Sequence, residues 1–159
     1  MARCDLISQA KAHRYEFALW PALWQKFNHA RRFSWRRKLF SKSSINEIPK
    51  KSGVYTFVIE PHLADHPSCA FLIYVGQTKN LRERFKQYLA VQEGRRRHSP
   101  RVEYGLSQHS GYKYLFFYYS FHDKDLLEEY EQALLAGFIP PWNDRKTISS
   151  EVGEIVRAF

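Results

Sequence analysis

The sequence predicts an α+β domain preceded by a basic helical arm. Three short runs rich in β-branched and aromatic residues, Gly53–Ile59, Phe71–Val75 and Tyr114–Phe121, are set off by polar and turn residues, as strands are. Two segments, Leu81–Gln92 and Leu126–Phe138, carry apolar residues at helical spacing. Charge is also divided unevenly. Residues 1–50 hold 11 basic and 3 acidic side chains, a net of +8, whereas the remainder is close to neutral.

A chain of 159 residues fits one core, and 44% hydrophobic content is enough to bury it without covalent staples. Two cysteines, Cys4 and Cys69, make no disulfide framework and no C-x-x-C zinc or redox motif, which points to a reducing compartment. The apolar stretch Phe17–Trp24 is eight residues long and contains Pro21, too short to span a bilayer. The expected location is the cytoplasm. A net charge of +9 favours polyanionic partners, and no membrane is expected.

In chain order, residues 5–30 read as two short helices or one kinked at Pro21. Residues 31–42 interleave Arg31, Arg32, Arg36, Arg37, Lys38 and Lys42 with Phe33, Trp35 and Phe40. That mixture suits phosphate contacts with stacking on bases, and equally an amphipathic helix whose aromatics pack on the core. Residues 43–52 read as linker and turn, and Gly53 opens the first strand. The loop 60–70 holds His62, His66 and Cys69, but Pro61, Pro67 and the want of a fourth ligand favour a surface loop over a metal site.

Asn80, with Glu83 three residues on, forms a capping box that starts the helix from Leu81, and places Arg84 and Tyr88 one turn apart on a shared face. Residues 93–111 read as an exposed connection, in which Arg95, Arg96 and Arg97 either track a backbone or form a solvated charge run. The third strand is aromatic on both faces and expected to be covered on both. In the last helix Glu128 and Glu129 face solvent, while Glu131 falls at the margin of the apolar stripe. A carboxylate there either reaches outward or requires a metal or an arginine to offset its desolvation.

These elements, in this order, resemble the GIY-YIG nucleases. Gly53-Val54-Tyr55 resembles the first motif, Tyr74-Val75-Gly76 the second, and Gln77–Arg84 the segment leading to the family's catalytic arginine. Tyr88 matches a position where the family carries Tyr or His, Glu131 its metal-binding glutamate, and Asn143 the asparagine that closes the module. The connection between Tyr55 and Tyr74 is longer than in compact members. Gln77 stands where some members carry Lys, a cationic contact that Lys79 would then supply. The resemblance covers residues 51–145 and leaves a helical arm at 1–50 and an extension at 146–159.

The resemblance implies a central antiparallel sheet of about three strands flanked by helices. It also implies a DNA endonuclease that uses one divalent cation per site, Mg²⁺ or Mn²⁺. It assigns Tyr55 as general base, Tyr74 and Tyr88 to positioning water and phosphate, Arg84 to charge relief and Glu131 to the metal. Substrate contacts are expected from Lys79, Arg95, Arg96, Arg97 and Asn143, and from Arg31, Arg32, Arg36, Arg37 and Lys38 of the arm. The expected role is defence against foreign DNA or restriction. A structure-specific repair or recombination nuclease and a non-catalytic nucleic-acid-binding module are the alternatives. Cutting both strands of a duplex would call for a homodimer or successive nicks.

Overall fold

The computed structural model describes residues 13–17, 21–28, 33–61, 69–111 and 113–144. In order these form helix α1 (Pro21–Asn28), strand β1 (Arg36–Leu39), a 3₁₀ turn (Lys42–Glu47), strands β2 (Gly53–Ile59) and β3 (Phe71–Thr78), and helices α2 (Leu81–Gln92) and α3 (Pro100–Gln108). Strand β4 (Leu115–Phe121), a 3₁₀ turn (Lys124–Leu126) and helix α4 (Leu127–Phe138) follow. The four strands form one antiparallel sheet in the order β1-β4-β2-β3. The fold is α+β, as expected, with four strands where about three were anticipated.

Strand β2 is central and buried along its whole length, and alternation sends its side chains to two cores. Tyr55, Phe57 and Ile59 join Phe85 and Leu89 of α2, Val102 and Leu106 of α3, and Phe117 of β4 on one face. Val54 turns the other way and, with Val75, meets Leu127, Leu134 and Leu135 of α4. Helix α4 ends at Ile139, which adopts a left-handed conformation at φ 45°. That conformation is unfavourable for a β-branched residue, and the Pro140-Pro141 pair behind it keeps the helix from continuing. The chain then runs along the outer margin of β3, where the Trp142 amide donates to the Ile73 carbonyl at 2.9 Å.

Two expectations are corrected. Residues 36–39 belong to no helical arm; they pair with β4, Arg36 opposite Tyr119 through Leu39 opposite Phe116. Phe40 and Ile48 are core residues, Phe33 packs against the second core, and Tyr15 packs against the first, while the Trp24 indole N–H donates to the Gly137 carbonyl at 2.7 Å, so the segment before residue 51 is built into the body of the protein. Three consecutive cations on an edge strand carry no apolar period, which is why this segment resembled a helix with packed aromatics. The connection 93–111 contains α3, which starts with Pro100 at its first turn, where a missing N–H costs nothing. Gly105 sits mid-helix because the Trp142 ring lies against its Cα, within the space a Cβ would take. Residues 13–17, expected to be helical, form no helix; the rest of the stretch between residues 5 and 20, together with His62, His66, Arg31, Arg32 and the extension 146–159, lies outside the described residues. Among the described residues no helix is long and apolar enough to cross a membrane.

Candidate active site

Strand β3 is the outermost strand beside β2, so side chains from both faces of the sheet can meet around its margin. On one face, register places Tyr55 opposite Gly76 and Tyr74 opposite Phe57. Helix α2 lies over them. The Asn80 side chain accepts a hydrogen bond from the Glu83 amide at 3.1 Å, the cap expected from the sequence, and fixes the start of the helix. Tyr88, one turn beyond Arg84, then reaches the Tyr55 hydroxyl at 2.9 Å. Tyr74 meets Tyr88 edge to face, with ring centroids 5.9 Å apart. The three rings sit with centroids 5.8 to 6.3 Å apart, a compact trio of phenols.

Glu131 approaches from the other face on α4. Gln77, the β3 residue just after the second motif, lies close to its carboxyl with both backbone and side chain and favours the charged form. Burial is the largest influence on Glu131 and pushes its carboxyl above the usual carboxylate range, against the lowering effect of Gln77 and Arg84. Arg84 makes no ion pair among the described residues, yet its charge is felt by Tyr55, Tyr74, His98 and Glu131. One guanidinium thus sits within electrostatic reach of both halves of the site.

Burial governs the tyrosines also. The Tyr55 hydroxyl is pushed far above its ordinary range by desolvation, and Arg84 lowers it by less. Tyr88 is raised in the same way, and Tyr74, the least buried of the three, is raised too. In the resting protein all three hold their protons at neutral pH. Arg84 does favour the Tyr55 phenolate, but loss of water outweighs it.

The sequence-expected core of the site, Tyr55, Tyr74, Arg84, Tyr88 and Glu131, is therefore brought together. Of the expected substrate contacts, Lys79 follows β3 two residues beyond Gln77, whereas others among the described residues are engaged elsewhere. Asn143 is buried, and its side chain is spent on the Val75 backbone, accepting from the amide and donating to the carbonyl at 2.8 Å each. Arg37 pairs with Glu60, Lys38 with Glu47, Arg95 with Glu93 and Arg97 with Glu103. Arg36 lies over the Phe121 ring at 5.0 Å, and Arg96 is exposed.

Two neighbours of the site were missed by sequence reasoning. Gln77 was noted only for not being Lys, whereas it is the residue that holds Glu131. His98, from the connection after α2, covers the trio with its ring 5.3 Å from Tyr88 and 6.3 Å from Tyr74. Burial and Arg84 keep it neutral. Its Nδ1 accepts from the Ser99 amide at 2.8 Å, which places the ring proton on Nε2. No short-range pattern marked it; the signal was a lone histidine beside an arginine run.

Residues 70–140 match the family model described as the GIY-YIG catalytic domain. The first motif, Gly53-Val54-Tyr55, lies before that span and is joined to it through the β2–β3 pairing. Solved structures similar to this chain include point mutants of the GIY-YIG N-terminal endonuclease domain of UvrC from Thermotoga maritima, each bound to a catalytic divalent cation. One is 17% identical, covering 65% of this chain and 93% of that chain with a TM-score of 0.45. Another is 18% identical, covering 65% and 99% with a TM-score of 0.42. No curated protein matches the chain. The second motif, the arginine helix and the glutamate helix all fall within the span that matches the GIY-YIG catalytic domain.

Proposed function

We propose that the protein is a divalent-cation-dependent endonuclease that hydrolyses phosphodiester bonds of DNA. The observation that carries this reading is the meeting of three tyrosine hydroxyls, one arginine and one partly buried carboxylate at the margin of β3. Among the described residues no group of three His, Cys, Asp or Glu gathers, so the described part of the site offers a cation Glu131 alone. That suits Mg²⁺ or Mn²⁺, which keep several waters and take further oxygens from a phosphate. Desolvated, and without an ion pair among the described residues, Glu131 is a carboxylate that a cation would complete. The cation would relieve charge on the phosphate and on the leaving 3′ oxygen.

The protein's own side chains do the rest. The fork of Arg84 binds two phosphoryl oxygens and offsets the charge that builds on them. Tyr74, the least buried phenol, meets the attacking water. Tyr88 and Tyr55 stand behind it, hydrogen-bonded to each other. Positive charge in the site offsets the burial that holds the phenols neutral; a phenol that has thereby lost its proton to solvent accepts the proton of the attacking water, and the leaving 3′ oxygen takes a proton from solvent. His98 shields the trio from bulk water, and Gln77 keeps Glu131 at the strand margin.

Incubation of the protein with single-stranded, duplex and branched DNA and RNA, with Mg²⁺ or Mn²⁺ and with a chelator, tests the reading by mapping product ends. Metal-dependent internal cleavage leaving 5′-phosphates is expected on DNA. If none of these substrates is cut with either cation, the nuclease reading falls. Whether both strands are cut by paired copies or by successive nicks follows from the order in which nicked and linear products appear.

A further inference from the structure

The cations that the sequence marked as phosphate contacts are, for Arg37, Lys38, Arg95 and Arg97, already neutralised by carboxylates of the same chain. A second set is not. Lys50, Lys51, Lys79 and Lys124 line one open groove of about 530 Å³ together with Phe121 and Asp123. Among the described residues none of the four lysines forms an ion pair. Four ammonium groups against one aspartate make the groove strongly positive, and a field of that sign in a concave surface favours polyanions.

Topology brings these lysines together. Lys50 and Lys51 precede β2, Lys79 follows β3 and Lys124 follows β4. Gly53 at the start of β2 faces Thr78 at the end of β3 and Phe121 at the end of β4, so all three strands place these segments at one end of the sheet. The rim is also fixed. The Lys51 carbonyl accepts from the Leu81 amide at 2.9 Å, and the Pro49 carbonyl from the Arg82 amide at 3.2 Å, which ties the segment to the first turn of α2. The Lys51 ammonium lies 5.2 Å from the Phe121 ring centroid, and Arg36 covers the same ring at 5.0 Å. The groove adjoins the candidate active site along β3, since Lys79 is two residues beyond Gln77. Two residues of extended chain span about 7 Å, comparable to two steps of about 3.4 Å along a nucleic-acid strand.

We propose that this groove seats the sugar-phosphate backbone of the nucleic acid strand next to the bond being cut, so that Lys50, Lys51, Lys79 and Lys124 supply the main phosphate contacts of the folded body. The proposal rests on the nuclease reading for the identity of the ligand, but its test does not need cleavage. Binding of a labelled 20-nucleotide DNA duplex to the full chain carrying Glu131→Gln is measured across a salt series without metal. The triple variant Lys50→Gln/Lys51→Gln/Lys124→Gln is compared with a charge-matched control, Lys42→Gln/Lys86→Gln/Lys113→Gln. The groove variant is expected to bind about tenfold or more weakly at physiological salt and to reduce the slope of log affinity against log salt by about 2 to 3. The control is expected to change both far less. Lys124→Glu, at an exposed position, should weaken binding in the same direction if the triple variant folds poorly. Equal losses in groove and control variants, an unchanged slope in the groove variant, or no binding by the parent protein would each overturn the proposal. If the Glu131→Gln chain binds through the groove but the chain with Glu131 in place cuts nothing with either cation, the nuclease reading falls and the groove stands. If it cuts normally and the groove variants bind as the control does, the reverse holds.

Discussion

Gly76 lies directly beneath the hydroxyl end of Tyr55: a Cβ built on Gly76 would stand 2.5 Å from the ring carbon that bears the hydroxyl. The two residues face each other across the β2–β3 ladder, and the missing side chain is the space into which the phenol lies. The glycine of the second motif is thereby explained by the tyrosine of the first.

Gly76→Ala is accordingly expected to displace the Tyr55 ring and break its bond to Tyr88. Overpacking of a buried site typically costs about 1–3 kcal/mol, so the urea midpoint should fall measurably. Cleavage should be lost more completely than the stability change explains, as seen by comparing turnover at a temperature where the variant is fully folded. Native stability and turnover in the Gly76→Ala variant would show that the Tyr55 position does not matter to either.

Glu131→Gln is expected to abolish metal-dependent cleavage while leaving the protein at least as stable near neutral pH. Its carboxyl is raised by burial, so ionising it in the folded state works against folding. That stability contribution is present below the ordinary glutamate range and is lost as pH rises through the raised value. Glutamine removes the charge and keeps an oxygen for Gln77. Thermal melts at about pH 7.5, above the ordinary glutamate range, should give a midpoint no lower than that of the parent. Added Mg²⁺ should raise the midpoint of the parent but not of the variant.

Arg84→Lys keeps the charge but loses the planar fork, so turnover should drop by about 10²-fold or more, the scale seen on removing one preorganised donor. Tyr55→Phe retains ring packing against Phe117 and removes the hydroxyl that meets Tyr88. It should lower turnover with little change in substrate affinity. Steady-state cleavage of a labelled duplex separates the two effects. Normal turnover in Tyr55→Phe together with a dead Tyr74→Phe would place the essential phenol at Tyr74 alone.

Stability should fall at both ends of the pH scale. Tyr55, Tyr74 and Tyr88 are all raised, so above about pH 10 the unfolded chain releases protons that the folded chain keeps. Stability from these groups is full below about pH 10 and declines as pH rises, by up to about 1.4 kcal/mol per unit for each phenol. His98, His109 and His122 are lowered, chiefly by burial. Their contribution is full above the ordinary histidine value of 6.5 and is lost as pH falls beneath it. Urea unfolding from about pH 5 to about pH 11, a range that brackets both ordinary values, should show both limbs. Tyr55→Phe should flatten the alkaline one.

The motifs were legible because each is local: a capping box at Asn80, a tyrosine one turn after Arg84, an acid at the margin of an apolar stripe. What escaped was whatever depends on distant segments meeting. Gln77 acquires its role only because α4 packs alongside β3, and Tyr55 becomes a buried phenol only because α2 closes over it. Strand β1 was hidden because an edge strand of Arg36, Arg37 and Lys38 carries no apolar alternation. The groove lysines are spread from position 50 to position 124, and only the strand order unites them.

The tie between Asn143 and Val75 has a consequence for how molecules of this protein meet at high concentration. An outer strand ordinarily exposes a row of amides and carbonyls onto which another chain can add a strand. Here the Val75 amide and carbonyl are taken by Asn143, and the Ile73 carbonyl by Trp142, so the catalytic strand presents a sealed margin. The opposite margin, β1, is four residues long and carries Arg36, Arg37 and Lys38. The sheet therefore resists growth by edge-to-edge addition at both ends, which keeps a positively charged, aromatic-rich protein from polymerising through the strand that carries its candidate site.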